Sequence, residues 1–398
     1  MLGDSGGVRN GPTRLPVAIV TGSRAEFGLL ERTIALLEES AAIEPLVIAA
    51  GMHLVVALGA TVSEVEARFP VADRVPMHPP EDTPRGMALA VAEGIAGFSR
   101  SFARFGPRLL VVLGDRTEPL AAALAAVYSG VPVAHIHGGD VSGNVLDDFH
   151  RDVISRAARL HLPATTRSAA RLRALGVEGE IEVCGAPGLD ALMSLPPRPR
   201  EAVLAELGLP TEARVIVVVY HPVPRASSTA GEEAEEVLAA VEEACGAGDG
   251  AAVLYPNSDA GHEAVKAAIE KRRSHPAFRI FPSLPRQRFI QLLRHADALV
   301  GNSSAGVIES VSCGVPAVNV GIRQQGRERN SNVVDAPPER GAIRLAIERA
   351  RTDPAVLRAA ANRVNLYGDG RAAERISQAL DRFLTAGRGR EEPAREVK

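Results

Sequence analysis

Tryptophan is absent from the 398 residues, and aromatic side chains make up only 4% of them. Cysteine is nearly absent too. Cys184, Cys245 and Cys313 lie far apart, with no C-x-x-C pair. That spacing argues against a disulfide framework or a zinc site and fits a reducing cytoplasm. No stretch approaches the roughly 20 apolar residues of a membrane span. A net charge of −3 supplies no basic surplus for nucleic acid or an anionic membrane. Residues 1–14 lack an apolar h-region, so they are not a secretory signal and read as a disordered lead. The tail, 387–398, reads as disordered on composition. Neither G-x-G-x-x-G nor a Walker loop occurs, which removes the usual arguments for a dinucleotide or ATP cofactor. No cofactor and no metal is expected.

What is there is an alternation. Hydrophobic residues form 46% of the chain, enough for two domains of ordinary size. Short apolar strands at Leu15–Val20, Pro45–Ala50, Leu109–Leu113 and Pro132–Ile136 alternate with amphipathic helices. The pattern continues through Ile181–Cys184 and restarts at Val215–Tyr220, Ala252–Tyr255, Arg279–Phe281, Ala298–Val300 and Ala317–Val320. Strand–helix alternation predicts parallel, doubly wound α/β sheets. Leu195-Pro-Pro-Arg-Pro199 reads as the linker between two such halves. Domains are expected over 15–194 and 200–365, with a cleft between the carboxyl ends of both sheets.

Chemistry concentrates in the loops that follow strands. After Pro132–Ile136, Gly138-Gly139 breaks the run, and Asp140, Asp147 and Asp148 follow within nine residues. Carboxylates on a loop at a strand's carboxyl end suit proton transfer. One of the two adjacent acids is expected only to cap the helix that starts there. Gly114-Asp-Arg-Thr-Glu118 places Asp115 and Arg116 at another strand end. Gly22, Ser23 and Arg24 lie between a strand and a helix, where an anion is favoured. His221 ends the strand before Pro222, and Asn257 and Asp259 shape the turn after another strand. Gly301-Asn-Ser-Ser304 opens a helix with hydroxyls from Ser303 and Ser304, the strongest phosphate signal in the chain. Glu309 follows on that helix. A loop after the last strand of the second set carries Arg323, Arg327 and Arg329.

Taken in order, these motifs resemble the UDP-N-acetylglucosamine 2-epimerase family. They are Thr21–Leu29, Gly51-Met-His53, Asp82-Thr-Pro84, Gly114-Asp-Arg116, His137-Gly-Gly-Asp140, Gly185–Asp190, His221-Pro222, Pro256–Gly261, Gly301–Ser304 and Gly321–Gln324. The resemblance spans about 15–385. The forms Gly22–Gly28 and Arg323–Arg327 look more like the hydrolysing branch of sialic-acid-type pathways. The resemblance implies a GT-B fold: two Rossmann-like domains, the active site between them, and a C-terminal helix (366–386) packed back on the first domain. It implies elimination of UDP from UDP-N-acetylglucosamine to a 2-acetamidoglucal, then hydration to N-acetylmannosamine. It also implies a cytoplasmic homodimer or homotetramer that needs no cofactor. On this resemblance Asp115, Asp140 and either Asp147 or Asp148 are the catalytic acids. Gly22, Ser23, Arg24, Arg116, His221, Asn257, Asp259, Ser303, Ser304 and Arg323 contact the substrate, and Glu309 the ribose.

The chain departs from the family at Arg151-Asp152, where Arg-His is common, at Arg156 in place of Lys, and at Asp140 in place of Glu. A modified sugar such as UDP-2,4-diacetamido-2,4,6-trideoxyglucose is therefore an alternative substrate. A GT-B glycosyltransferase and a non-catalytic nucleotide-sugar binder are further alternatives.

Overall fold

The strands settle first, because their residues allow little else. Val17–Val20, Leu109–Val112 and Val215–Val217 are fully buried, and such unbroken apolar runs need cover on both faces. The computed structural model describes residues 14–56, 59–81, 83–143, 145–223, 228–257 and 259–387, without the side chain of Val145. Apart from Arg14 and Gly387, the expected lead and tail lie outside the described residues, as do Asp82 and Ser258 of the quoted motifs.

The first sheet holds β1 (Leu15–Thr21), β2 (Ile43–Ala50), β3 (Val71–Val75), β4 (Leu109–Leu113), β5 (Val133–Ile136), β6 (Ala158–Leu162) and β7 (Glu180–Ile181). Their spatial order is β3-β2-β1-β4-β5-β6-β7. The second sheet holds β8 (Val215–Val219), β9 (Gly250–Leu254), β10 (Phe278–Phe281), β11 (Ala298–Gly301), β12 (Ala317–Val320) and β13 (Val333–Ala336), in the order β10-β9-β8-β11-β12-β13. Every pairing in both sheets is parallel. In each sheet the chain winds outward on one side, then returns to the other. The reversal falls between β1 and β4 in the first sheet and between β8 and β11 in the second. Ligands of open α/β sheets bind outside the strand ends at such reversals. Those four strand ends carry Gly22, Asp115, His221 and Asn302.

Helices cover both faces of each sheet. The first sheet is packed on one side by Phe98, Phe102, Leu120 and Ala121, and on the other by Phe27, Leu30, Ile34 and Leu37. The last helix, Ala372–Thr385, adds Ile376, Leu380, Phe383 and Leu384 to that second cluster. It has left the second domain to complete the core of the first. Asp190 fixes its start by accepting the N–H groups of Ala372 and Ala373 at 2.9 and 2.6 Å, as an acidic cap at a helix N-terminus should. The linker 195–199 is also tied down. Gln291 donates to the Pro196 carbonyl at 2.7 Å and accepts the Arg198 N–H at 3.2 Å.

β3, β6 and β13 have no counterpart among the sequence-based expectations. β3 carries Asp73-Arg74 on an edge, β6 begins directly at the end of the preceding helix with no turn residue between them, and β13 is a four-residue edge strand. The helix expected from Ser303 also differs. It runs Ser304–Ile308, breaks at Glu309, and resumes over Ser310–Cys313.

Candidate active site at the domain junction

β5 ends at Ile136, and the next residue, His137, takes φ +63°. A non-glycine residue in that left-handed region is strained and is held there by its surroundings. Here the ring is held by Asp140, which lies 3.0 Å from His137 Nδ1. Asp140 is 3% exposed. Its Oδ1 accepts from Ser168 Oγ at 2.7 Å, and Arg327 of the second domain lies 3.3 Å from Oδ2. Burial raises the Asp140 pKa, but His137, Arg327 and Ser168 outweigh burial and hold it below the usual carboxylate range. Gly139 has to be glycine, because a Cβ there would sit 2.3 Å from the Ser168 carbonyl.

The adjacent acids at the start of helix Val145–Ala157 divide their work. Asp148 turns back on the loop. It accepts the Ser142 N–H at 2.7 Å, the Ser142 hydroxyl at 2.8 Å and the Gly143 N–H at 2.9 Å. Arg151 also donates to Asp148 at 2.8 Å. Asp147 accepts no hydrogen bond among the described residues. Its nearest cation is Arg323 of the second domain, 3.8 Å away. Burial raises the Asp147 pKa, partly opposed by Arg323 and reinforced by Asp259. Arg151, 1% exposed, joins the acids into one network. It forms an ion pair with Asp115 and also donates to the Asp140 carbonyl at 3.0 Å.

Beneath the first loop lies a second pair of acids, Glu26 and Glu118. Glu118 fills the space a side chain would need at Gly22 or Gly51: an added Cβ would come within 2.6 and 2.3 Å of it. Burial raises the Glu118 pKa, but Arg116, 3.3 Å away, outweighs burial and holds it low. Glu26 has no such ion pair among the described residues. It accepts the Gly22 N–H at 2.6 Å, and its Oε1 is buried without a partner. Burial, with Glu118 adding to it, raises the Glu26 carboxyl to about 8. His53, hydrogen-bonded to Thr21 and Thr61 at 3.0 and 2.8 Å, is pushed by burial down to about 4 and stays neutral.

Because the folded pKa of Glu26 exceeds the unfolded one, its contribution to stability is full below about pH 4.5 and is lost as pH rises through about 8. Glu26→Gln keeps the shape and removes the titration. The variant is expected to match wild type near pH 5 and to exceed it by roughly 2 kcal/mol at pH 9, since water entering around the ionised group limits the gap. Paired thermal melts at the two pH values check this.

The second domain contributes the cations. β11 ends in Gly301 at φ +136°, where a Cβ would strike the Val219 carbonyl at 2.1 Å. This approach lets Asn302 bracket His221: its Oδ1 accepts the His221 N–H at 2.7 Å and its Nδ2 donates to the His221 carbonyl at 2.8 Å. His221 Nδ1 accepts the Asn257 N–H at 3.1 Å. Burial, then Arg323 and Arg116, push its pKa well down, so the ring is neutral and its proton sits on Nε2. Ser303 caps the short helix by accepting the Ala305 N–H at 3.4 Å, and Ser304 is its first residue. Arg323 donates to the Asn302 carbonyl at 3.3 Å, with Nε buried and unpaired. Buried guanidinium atoms without partners at a strand-end loop are suited to an anion.

The other candidates from the sequence are placed as follows. Asn257 donates to Asp259, which faces Arg116 across the junction at 3.9 Å. Glu309 is 6% exposed and paired with Arg286 at 2.7 Å, and Arg286 also donates to the Gly188 carbonyl at 2.8 Å. Arg24 pairs with Glu64 and donates to Ser283. Asp152 is held by two hydrogen bonds from Arg171 at 2.6 and 2.8 Å, and Arg156 is exposed. The departures at 152 and 156 are thus accommodated by ordinary helix-surface chemistry. His137, Arg151, Ser168, Glu26 and Arg286 line or support the candidate site and were not candidates from the sequence; Glu118 stood out there only as a charge crowding the same strand end as Asp115 and Arg116. Among the described residues, no three His, Cys, Asp or Glu side chains cluster as a metal site, and no helix is long and apolar enough to cross a membrane.

Two parallel Rossmann-like sheets, with Arg323 and Arg327 of the second reaching Asp147 and Asp140 of the first, make this a GT-B protein. The comparisons with known proteins specify it further: residues 35–381 match the family model described as UDP-N-acetylglucosamine 2-epimerase, and the chain belongs to that family. It is 35% identical over 366 residues to the UDP-N,N'-diacetylbacillosamine 2-epimerase (hydrolyzing) of Legionella pneumophila, covering 92% of this chain and 95% of that one. It is 32% identical over 335 residues to the UDP-N-acetylglucosamine 2-epimerase of Neisseria meningitidis, covering 84% and 87%. Among solved structures, S. aureus MnaA with UDP superposes with a TM-score of 0.79 at 19% identity, over 93% of this chain and 97% of that one.

Proposed function

We propose that this chain is a hydrolysing 2-epimerase of UDP-2-acetamido sugars, with UDP-N-acetylglucosamine as the simplest substrate. The observation that carries the reading is the division among the four acids. Asp115, Asp140 and Asp148 are committed to fixed partners, while the Asp147 carboxylate accepts no hydrogen bond among the described residues and faces Arg323. A free, partly desolvated carboxylate is what a general base requires. Asp147 takes the C2 proton. The C1–O bond then breaks, and UDP leaves with the electron pair, giving a 2-acetamidoglucal. Arg323, the Nε2–H of His221 and the Ser303–Ser304 helix start stabilise the departing diphosphate. Water then supplies hydroxide to C1 and a proton to C2, releasing the free epimerised sugar. Inversion at C2 needs a second acid on the opposite face of the ring. The His137–Asp140 pair is the group available for it.

The 35% identity to a diacetylbacillosamine epimerase over 92% of the chain favours a second reading, in which the same chemistry acts on a 2,4-diacetamido-2,4,6-trideoxy sugar. Both UDP-sugars incubated with the protein in D2O and followed by NMR test the proposal. The expected products are UDP and a free sugar carrying deuterium at C2. A UDP-linked epimer would instead identify a non-hydrolysing enzyme. Turnover without C2 deuterium would sink the elimination and point to glycosyl transfer.

A further inference from the structure

Methionine is scarce in this chain, five residues in all, yet three of them line one small cavity. Met52, Met77 and Met87 wall it, and Arg116, Glu118 and Asp259 are among its polar lining. The cavity has about 10 Å³ for the centre of a water-sized sphere, room for about one such group. Its position follows from the topology. Met52 follows β2, Met77 follows β3, and Arg116 follows β4 directly after Asp115, while Asp259 reaches it from the second domain. Arg116 Nη2 lies 3.5 Å from Met52 Sδ, which fixes that side chain, and its Nη1 lies 3.9 Å from Asp259. Met77 is 2% exposed, while Met52 and Met87 are half-buried and open to the junction.

A pocket with thioether walls and a polar floor suits a short group that is apolar at one end and polar at the other. Methionine is soft and polarizable and packs well against a methyl. Arg116 can donate to a carbonyl oxygen, and Asp259 can accept from an amide N–H. The room for about one group fits a methyl and disfavours a longer acyl chain.

We infer that this cavity is the acyl pocket of the enzyme, taking the methyl of a sugar-borne N-acetyl group against Met52, Met77 and Met87. The inference rests on the reading of the chain as a UDP-acetamido-sugar epimerase and names what that site selects. The acetamido group could come from C2, present in every candidate substrate, or from C4, present only in a 2,4-diacetamido sugar. The chemistry of recognition is the same for both.

Turnover and calorimetric binding of N-acetyl, N-propionyl and N-butanoyl UDP-sugars test the pocket on wild-type protein. One added methylene is expected to lower kcat/KM at least about tenfold and to weaken binding relative to UDP alone. Met87→Ala, which widens the pocket, should recover most of that loss for the N-propionyl sugar while leaving UDP affinity unchanged. Propionylating C2 and C4 of a diacetamido sugar separately assigns the source: only the position that occupies the pocket shows the penalty. Equal kcat/KM and equal binding across the acyl series at both positions would overturn the inference, whatever Met87→Ala does. If no sugar is turned over but binding still falls with acyl length, the activity reading fails and the pocket stands.

Discussion

Asp147→Asn is expected to lower turnover by about 10³- to 10⁴-fold while leaving UDP affinity within about twofold of wild type. A positioned base alone is worth about 10²–10⁴, and the asparagine can neither take the C2 proton nor return one. Binding should survive, because the groups proposed to face the diphosphate belong to the second domain, and among the described residues Asp147 meets them only through Arg323 at 3.8 Å. Loss of that carboxylate leaves Arg323 less neutralised, so UDP binding should if anything tighten slightly. Fold should survive too, since Asp147 accepts no hydrogen bond among the described residues. Asp148→Asn is the control. That side chain accepts two N–H groups, a hydroxyl and a guanidinium N–H. Its replacement should loosen the loop and raise KM as well as lower kcat. Single-turnover assays and UDP calorimetry on both variants separate the two roles. A fully active Asp147→Asn would remove Asp147 as the base and turn attention to the His137–Asp140 pair.

The sequence made the acids visible but not their division. Asp147 and Asp148 are the same residue type at adjacent positions, and one was expected to serve only as a cap. Among the described residues neither caps the helix with its side chain: Asp148, in the first turn, bonds back to the Ser142 and Gly143 N–H groups of the loop before it. Which acid turns back depends on where those groups point, a property of the turn and not of composition. The strand ends were legible because an apolar run followed by glycine and a charged residue can only be a buried strand leaving its sheet. Sheet order was not, since nothing local says that β4 returns beside β1. His137 stood in a quoted motif without being chosen. Its signal is its place three residues before Asp140, but only the left-handed backbone at 137 turns its ring onto that acid. Glu26 was hidden because it reads as an ordinary first-turn helix acid, and Glu118, though visible beside Asp115 and Arg116, reads the same way; it is the glycines at 22 and 51 that let Glu118 in. Arg286 gave no signal at all. Its partner Glu309 was expected as a ribose contact, and the Arg286 pairing leaves that assignment as a proposal for a bound complex to test.

Arg151→Met should destabilise the first domain by about 3–5 kcal/mol and abolish turnover. The guanidinium is 1% exposed and joins Asp115, Asp148 and the Asp140 carbonyl. Removing one partner of a buried ion pair leaves the others charged and only partly solvated, which costs more than the pair contributes over an apolar replacement. That asymmetry supplies the test. If the cost comes from stranded carboxylates, Arg151→Met combined with Asp148→Asn should recover part of the stability lost, a non-additive gain of 1 kcal/mol or more in a double-mutant cycle. If Arg151 acts only by filling space, the two losses should add. Activity should not return in the double variant in either case, because Asp115 would still lack its cation and the helix start bearing Asp147 would lack its clamp. Arg151→Lys sharpens the point. A lysine ammonium restores the charge, but it is a point charge where the guanidinium is a fork holding three oxygens at once. It should regain more stability than turnover, as expected if Arg151 sets the geometry of the acids as well as their charge.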